Sequence, residues 1–365
     1  MSLKTVGIVG AGTMGSGIAM NVAENAFDVR LVDTTREQVD AALGKAAAYF
    51  DRKVERGRMQ SPDAKTARAR MKGSTDIADL AECDLVIEAI FERFDVKADL
   101  YKRLMPILSK DTLLATNTSC LRVTELAKEV DSPGRFLGMH YFNPPAVNPI
   151  VEVVRGEKTN PAVIATALAF CEATGKKTVA CRDSYGFALN RFFCPYVNEA
   201  MRLYDDGTGS PFEIDRVASD VFGAAAGPFV VSNLVGSQVL LHAQENLMPL
   251  GDFYKPAESV VRVGSEGGSW EIGDPSAPDA ARDKAIGDRL LGAAFLPVLQ
   301  QLDEEVAEPD AIDMGAEAAL KFGKPPCALM DSLGKSSVTA LVAPFCEKYG
   351  AAQPASLSRV GKLIG

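Results

Sequence analysis

Apolar runs of four to six residues recur along the first half of the chain and alternate with longer segments of helical period. Residues 5–9, 29–33, 84–89, 112–116, 135–140, 150–154 and 177–181 read as strands, with helices at 12–26, 35–58, 61–71, 94–108, 123–129 and 160–174. Strands buried on both faces carry nearly continuous apolar runs, and their alternation with helices predicts a mainly parallel sheet covered on both sides. The last two strands read as an antiparallel addition. The helical excursion at 35–71 exceeds what a crossover needs and is expected to protrude.

Beyond residue 183 the strand-like runs give way to helical patterns at 186–206, 211–222, 229–246 and from about 282 onward. This half repeats itself. Ile214-Asp215, Phe222-Gly223, Gly227-Pro228 and Leu234 recur as Ile312-Asp313, Phe322-Gly323, Pro325-Pro326 and Leu333, at offsets of about 98–100 residues. Loops are expected at 264–269 and 273–278, where Gly, Ser and Pro cluster. The expected organisation is a doubly wound α/β domain over 1–183, then an all-α region of two similar helical units, 184–281 and 282–365.

Composition narrows the partners. The 365 residues are 47% hydrophobic and 24% charged, as in globular proteins with sizeable cores, and the formal charge of −9 argues against nucleic acid. The excess is uneven, because residues 51–72 hold eight basic residues against three acidic ones, an island to which an anion could bind. Seven scattered cysteines without a Cys-x-x-Cys pair predict reduced thiols in a cytoplasmic protein, with no disulfide framework or metal site. Residue 4 enters a strand almost at once, so no signal peptide is expected. The uncharged stretch 221–244 contains Pro228 and several polar residues and reads as buried helices rather than a membrane span.

Gly10-Ala11-Gly12-Thr13-Met14-Gly15 follows a predicted strand and opens a predicted helix, and Asp33 closes the next strand. In that context Gly10 allows a tight turn, Gly12 lets a pyrophosphate approach the helix N-terminus, and Gly15 allows helix and strand to touch. Asp33 would accept from a ribose 2′-hydroxyl and repel a 2′-phosphate, which favours NAD over NADP. FAD binding, or a glycine turn without a ligand, are the other readings of this motif.

Ligands of doubly wound sheets gather beyond the carboxyl ends of the strands. Glu88 and Glu92 with Lys97, Asn117-Thr118-Ser119-Cys120, and His140 all follow strands at that edge. His140 is one of two histidines in the chain. If 140–152 folds as a hairpin centred on Ala146, Glu152 stands opposite His140, within reach of the second ring nitrogen. That is the anatomy of a general base with an orienting carboxylate.

These motifs together resemble the NAD-dependent L-3-hydroxyacyl-coenzyme A dehydrogenases over nearly the whole chain. The resemblance rests on Gly10–Gly15, Glu88-Ala89-Ile90, Asn117-Thr118-Ser119, His140-Tyr141-Phe142-Asn143-Pro144, Val151-Glu152-Val153-Val154 and Gly186-Phe187-Ala188-Leu189-Asn190-Arg191, in order. It implies a Rossmann-type fold for the first domain. It also implies His140 as base, Glu152 as its partner, and Ser119 and Asn190 as ligands of the reacting oxygen in a cleft between domains. Gly10, Gly12, Thr13, Met14, Gly15, Asp33, Glu92, Lys97, Asn117 and Asn143 would hold the cofactor, and Lys53, Arg56 or Arg58 would meet the coenzyme A phosphates. The chain departs from the family pattern at Cys120, 145–148, 224–226 and 267–270, which leaves the acyl group open. A free sugar-acid dehydrogenase and a crystallin-like structural protein are the alternatives. The tandem helical unit is compatible with a monomer or a homodimer.

Overall fold

A computed structural model describes residues 3–365 of the chain. Two compact units result, one ending at Asp183 and the other beginning at Ser184. The first contains, in order, β1 (Thr5–Val9), α1 (Thr13–Glu24), β2 (Asp28–Val32), α2 (Arg36–Glu55), α3 (Ser61–Arg70), β3 (Met71–Ser74), β4 (Leu85–Glu88), α4 (Phe94–Leu104), β5 (Leu113–Thr116), α5 (Val123–Leu126), β6 (Phe136–Tyr141), β7 (Ile150–Arg155), α6 (Pro161–Ala173) and β8 (Lys177–Arg182). Its eight-stranded sheet has the order β3-β2-β1-β4-β5-β6-β7-β8. Strands β1 to β6 are parallel, β7 turns against β6, and β8 runs parallel to β7. The expected α/β architecture and antiparallel addition are therefore both present.

Burial explains the strand pattern. Every residue of β4, β5 and β6 is buried, as expected of central strands covered on both faces. Strand β3 escapes the sequence pattern because only Met71 of its four residues is buried and a glycine interrupts it. The excursion over 35–71 packs against the sheet domain through α2 and α3, while no residue of its tip, 51–63, is buried. Val39 of α2 is buried, Ala42, Ala46 and Phe50 of α2 with Ala64 and Ala67 of α3 join the core cluster, and Arg70 donates to the Ala23 carbonyl of α1. The apolar stripe is merely narrow, built largely of alanine, while the charges line the outer face.

The second unit is helical: α7 (Asn190–Asp205), α8 (Pro211–Phe222), α9 (Pro228–Val235), α10 (Ser237–Glu245), α11 (Glu258–Glu266), α12 (Ala280–Asp303), α13 (Pro309–Ala318) and α14 (Pro326–Tyr349). The single helix expected over 229–246 is broken at Gly236, whose φ of 99° ends α9. Gly264 to Glu266 belong to α11 rather than to a loop. Gly264 is buried there because a Cβ would approach that of Leu241 to 2.7 Å, so the glycine serves close helix packing.

Equivalent contacts recur at the repeat spacing. Asp215 accepts from the amides of Phe229 and Val230, and Asp313 accepts from those of Cys327 and Ala328. Asp205 accepts from Ser259 N, and Asp303 from Ala355 N and Ser356 N. Gly334 breaks α14 at a φ of 79°, where Gly236 breaks the earlier pair. The two stretches meet where Gly323 N donates to Gly223 O, with the rings of Phe222 and Phe322 centred 5.1 Å apart.

Candidate active site

The glycine turn separates three roles by the space around each residue. Gly10 has a φ of 103°, and a Cβ there would lie 2.5 Å from the Ala89 carbonyl oxygen. A Cβ on Gly15 would come within 1.8 Å of the Gly10 oxygen, so α1 can start this close to the turn only with glycine. Gly12, by contrast, has no atom within 4 Å of its Cβ position and caps α1 without a side-chain hydrogen bond. Open space in front of uncapped first-turn amides, including those at Thr13 and Met14, suits a pyrophosphate. Asp33 is oriented by Ala11 N and Thr34 N, at 2.6 Å each, which sets its carboxylate beside the turn.

A second group sits at the ends of β4 and β5. The Glu88 carboxylate is fully buried and accepts from Lys97 Nζ, Tyr101 Oη, Thr116 Oγ1 and the amide of Ile90, at 2.6–2.9 Å. Lys97 also reaches Glu92 Oε2 at 3.2 Å. The other oxygen of Glu92 accepts from Thr118 Oγ1 and Ser119 N at 2.6 Å, from Cys120 N at 3.2 Å and from Cys120 Sγ at 3.4 Å. Burial disfavours the Lys97 charge, but Glu88 and Glu92 outweigh it and raise its pKa. Burial likewise pushes Glu92 up, yet Lys97 and the donors from Thr118 and Ser119 hold it below the usual carboxylate range. Lys97 thus acts as an internal strut that aims the Ser119 turn, rather than as an exposed cation.

His140 and Glu152 are register partners across β6 and β7, with His140 Nδ1 2.6 Å from Glu152 Oε2. Both are buried, and the Phe142 ring lies 4.4 Å from the imidazole. Sharing a proton with the carboxylate at Nδ1 makes Nε2 the basic nitrogen. Asn117 Oδ1 accepts from Tyr141 N at 2.8 Å, tying the end of β5 to the end of β6. Asn143 is exposed in the following loop. The carboxyl edge of the sheet therefore brings the glycine turn, Asp33, Glu92, Lys97, Asn117, Ser119 and His140 together.

Asn190 is the first residue of α7 in the second unit, just after the left-handed pair Gly186 and Phe187. Lys53 is ion-paired with Glu24, whereas Arg56 and Arg58 are exposed at the end of α2. Sequence reasoning singles out Glu88 and Thr118 only by their place after strands and passes over Tyr101 and Thr116. The available signal was a glutamate ending the apolar run Leu85-Val86-Ile87, where a charge is tolerated only with partners. Among the described residues no group of three metal-ligating side chains occurs, and all seven cysteines are buried.

Residues 5–184 match the model for the NAD-binding domain of 3-hydroxyacyl-CoA dehydrogenase, and residues 186–267 match that for its C-terminal domain. A probable 3-hydroxybutyryl-CoA dehydrogenase of Deinococcus radiodurans is 35% identical over 254 residues, 69% of this chain and 91% of that protein. The crystal structure of (S)-3-hydroxybutyryl-CoA dehydrogenase from Ralstonia eutropha superposes with a TM-score of 0.71 at 35% identity, covering 73% of this chain and 95% of that one. The fold of 3-hydroxybutyryl-CoA dehydrogenase from Escherichia coli K12 covers 100% of this chain and 99% of its own, with a TM-score of 0.89 at 24% identity.

Proposed function

Because the chain belongs to the 3-hydroxyacyl-CoA dehydrogenase family, we propose that it oxidises an L-3-hydroxyacyl-CoA to the 3-oxoacyl-CoA with NAD, reversibly, in fatty-acid oxidation or related acyl-CoA metabolism. The observation that carries this reading is the buried 2.6 Å contact between His140 and Glu152 at the carboxyl edge of the sheet. Bound NAD supplies the hydride acceptor. His140 Nε2 takes the proton of the 3-hydroxyl, and Glu152, facing Nδ1, stabilises the imidazolium that forms. Ser119 donates to the substrate oxygen, a bond that strengthens as negative charge grows there, and the family resemblance assigns Asn190 the same role.

The first-turn amides of α1 and the gap at Gly12 would hold the pyrophosphate, and Asp33 the adenosine ribose. Glu92, oriented by Lys97, and Asn117 and Asn143 would line the nicotinamide side. Arg56 and Arg58 remain as exposed cations for coenzyme A phosphates. Lys53 is the weaker candidate, since Glu24 already neutralises it.

The recurring aspartate contacts support reading 184–281 and 282–365 as two copies of one helical unit. They pack through α7 and α12, which favours a monomer over a homodimer, and sedimentation velocity separates the two. Among the described residues no helix is long and apolar enough to cross a membrane, in keeping with a cytoplasmic enzyme.

NADH oxidation with acetoacetyl-CoA, measured against free keto acids of similar size, tests the function. Strong preference for the thioester is expected; turnover of the free acids alone would overturn the assignment.

A further inference from the structure

The loop joining β6 to β7 connects His140 to its carboxylate partner and is poorly equipped to hold itself. It contains Pro144, Pro145 and Pro149, which have no amide hydrogen to donate. Its internal backbone bonds converge on a single acceptor, Pro144 O, which takes the amides of Val147 and Asn148. The Pro145 and Asn148 carbonyls instead accept from Lys176 Nζ, at 2.6 and 2.7 Å. Lys176 follows Gly175, which turns the chain with a φ of 70° between α6 and β8, and its side chain is buried beneath the loop. On the opposite side Tyr49 Oη lies 3.4 Å from Ala146 O, and a Cβ on Gly17 of α1 would come within 2.5 Å of the Pro145 ring. The loop is seated on α1 and drawn down by one ammonium group.

We propose that Lys176 is a positioning residue for the reaction: its ammonium clamps the 142–149 loop and thereby holds His140, Phe142 and Asn143 in their working arrangement. The inference rests on the functional reading above. A buried carbonyl without a donor is costly, so removing the ammonium leaves two loop carbonyls unsatisfied and releases the loop. The groups that act electrostatically on Lys176 are Glu24 of α1 and Cys171 of α6; Tyr49 and Lys53 of α2 are themselves bonded to Glu24. Burial outweighs the attraction of both and lowers the ammonium pKa from 10.5 to about 8. The clamp consequently loses its charge within the range where such an enzyme can be assayed.

In Lys176→Met, kcat with acetoacetyl-CoA and NADH is expected to fall about 10- to 100-fold, the scale of a reacting group displaced by about 1 Å, and to fall further than NADH affinity or the thioester KM changes. The wild type should show an alkaline limb in kcat near pH 8, and Lys176→Arg should lack it, because a guanidinium stays charged. Hydrogen exchange at the Val147 and Asn148 amides should quicken in the Met variant, a readout that needs no turnover. A folded Met variant with wild-type kcat, unchanged exchange at those amides, or an Arg variant keeping the wild-type limb would each overturn the clamp. Should Lys176→Met not fold, the Arg comparison still decides. An inactive wild type would instead fault the functional reading, leaving the exchange measurement to judge Lys176.

Discussion

One edge of one sheet carries two buried charge arrangements built for different purposes. Glu88, Lys97 and Glu92 form a group in which two carboxylates share one ammonium, with hydroxyl and amide donors around them. Its electrostatics keep the members in one charge state: Lys97 is raised and Glu92 lowered despite burial. His140 and Glu152 face each other on adjacent antiparallel strands, an imidazole against a carboxylate. The first arrangement resists proton exchange and fixes the Ser119 turn. The second is suited to exchanging a proton while its carboxylate stays still. Burial alone does not distinguish a charge that braces a turn from one suited to proton transfer; the type of group facing it does.

Breaking each arrangement should therefore fail differently. Replacing His140 by Ala removes the base and is expected to lower kcat about 10³-fold or more with little change in melting temperature, checked by steady-state kinetics beside calorimetry. Lys97→Met should behave oppositely, costing about 3–5 kcal/mol in denaturant unfolding because buried Glu88 and half-buried Glu92 lose their counter-charge. Glu152→Gln keeps the shape but not the charge that stabilises the imidazolium, so kcat should drop about 10²-fold. Combined with His140→Ala it should add almost nothing, since the two act as a unit. Equal, additive losses in that cycle would separate the pair into independent residues.

The pH dependence of stability sharpens the same contrast. Glu92 is depressed, so the stability it lends is complete above the unfolded carboxylate pKa and is lost as pH falls through the lower folded value. Lys97 is raised, so its share is complete below its unfolded pKa and disappears as pH rises through the higher folded value. Melting temperature should thus plateau between those limits, and Lys97→Met should lower the plateau. The smallest effect is expected outside both arrangements: reversing Arg56 and Arg58 to Glu should raise the thioester KM about two- to fivefold at low salt and less at high salt. No change at either ionic strength would remove these two residues from the coenzyme A path.

Local rules made much of this molecule readable. Val, Ile and Leu runs marked the central strands because those strands are buried on both faces, and the 12-residue separation of His140 and Glu152 suited a hairpin. The glycine turn was legible because each glycine answers a steric demand within a few residues. Where burial was slight or the pattern mixed, the reading failed: β3 offers one buried residue, α2 and α3 pack through alanines, and the helix pair at Gly236 looks continuous until the backbone turns.

The sequence by itself determined the fold class, the glycine turn after β1 and the facing of His140 and Glu152, because periodicity, glycine sterics and strand register act over short distances along the chain. Only the tertiary structure decided that Lys97 is a strut, that Lys53 is already neutralised by Glu24, and that Lys176 grips a loop about 30 residues away. A lysine's chemistry depends on which oxygens the folded chain brings to it, and those oxygens belong to other elements.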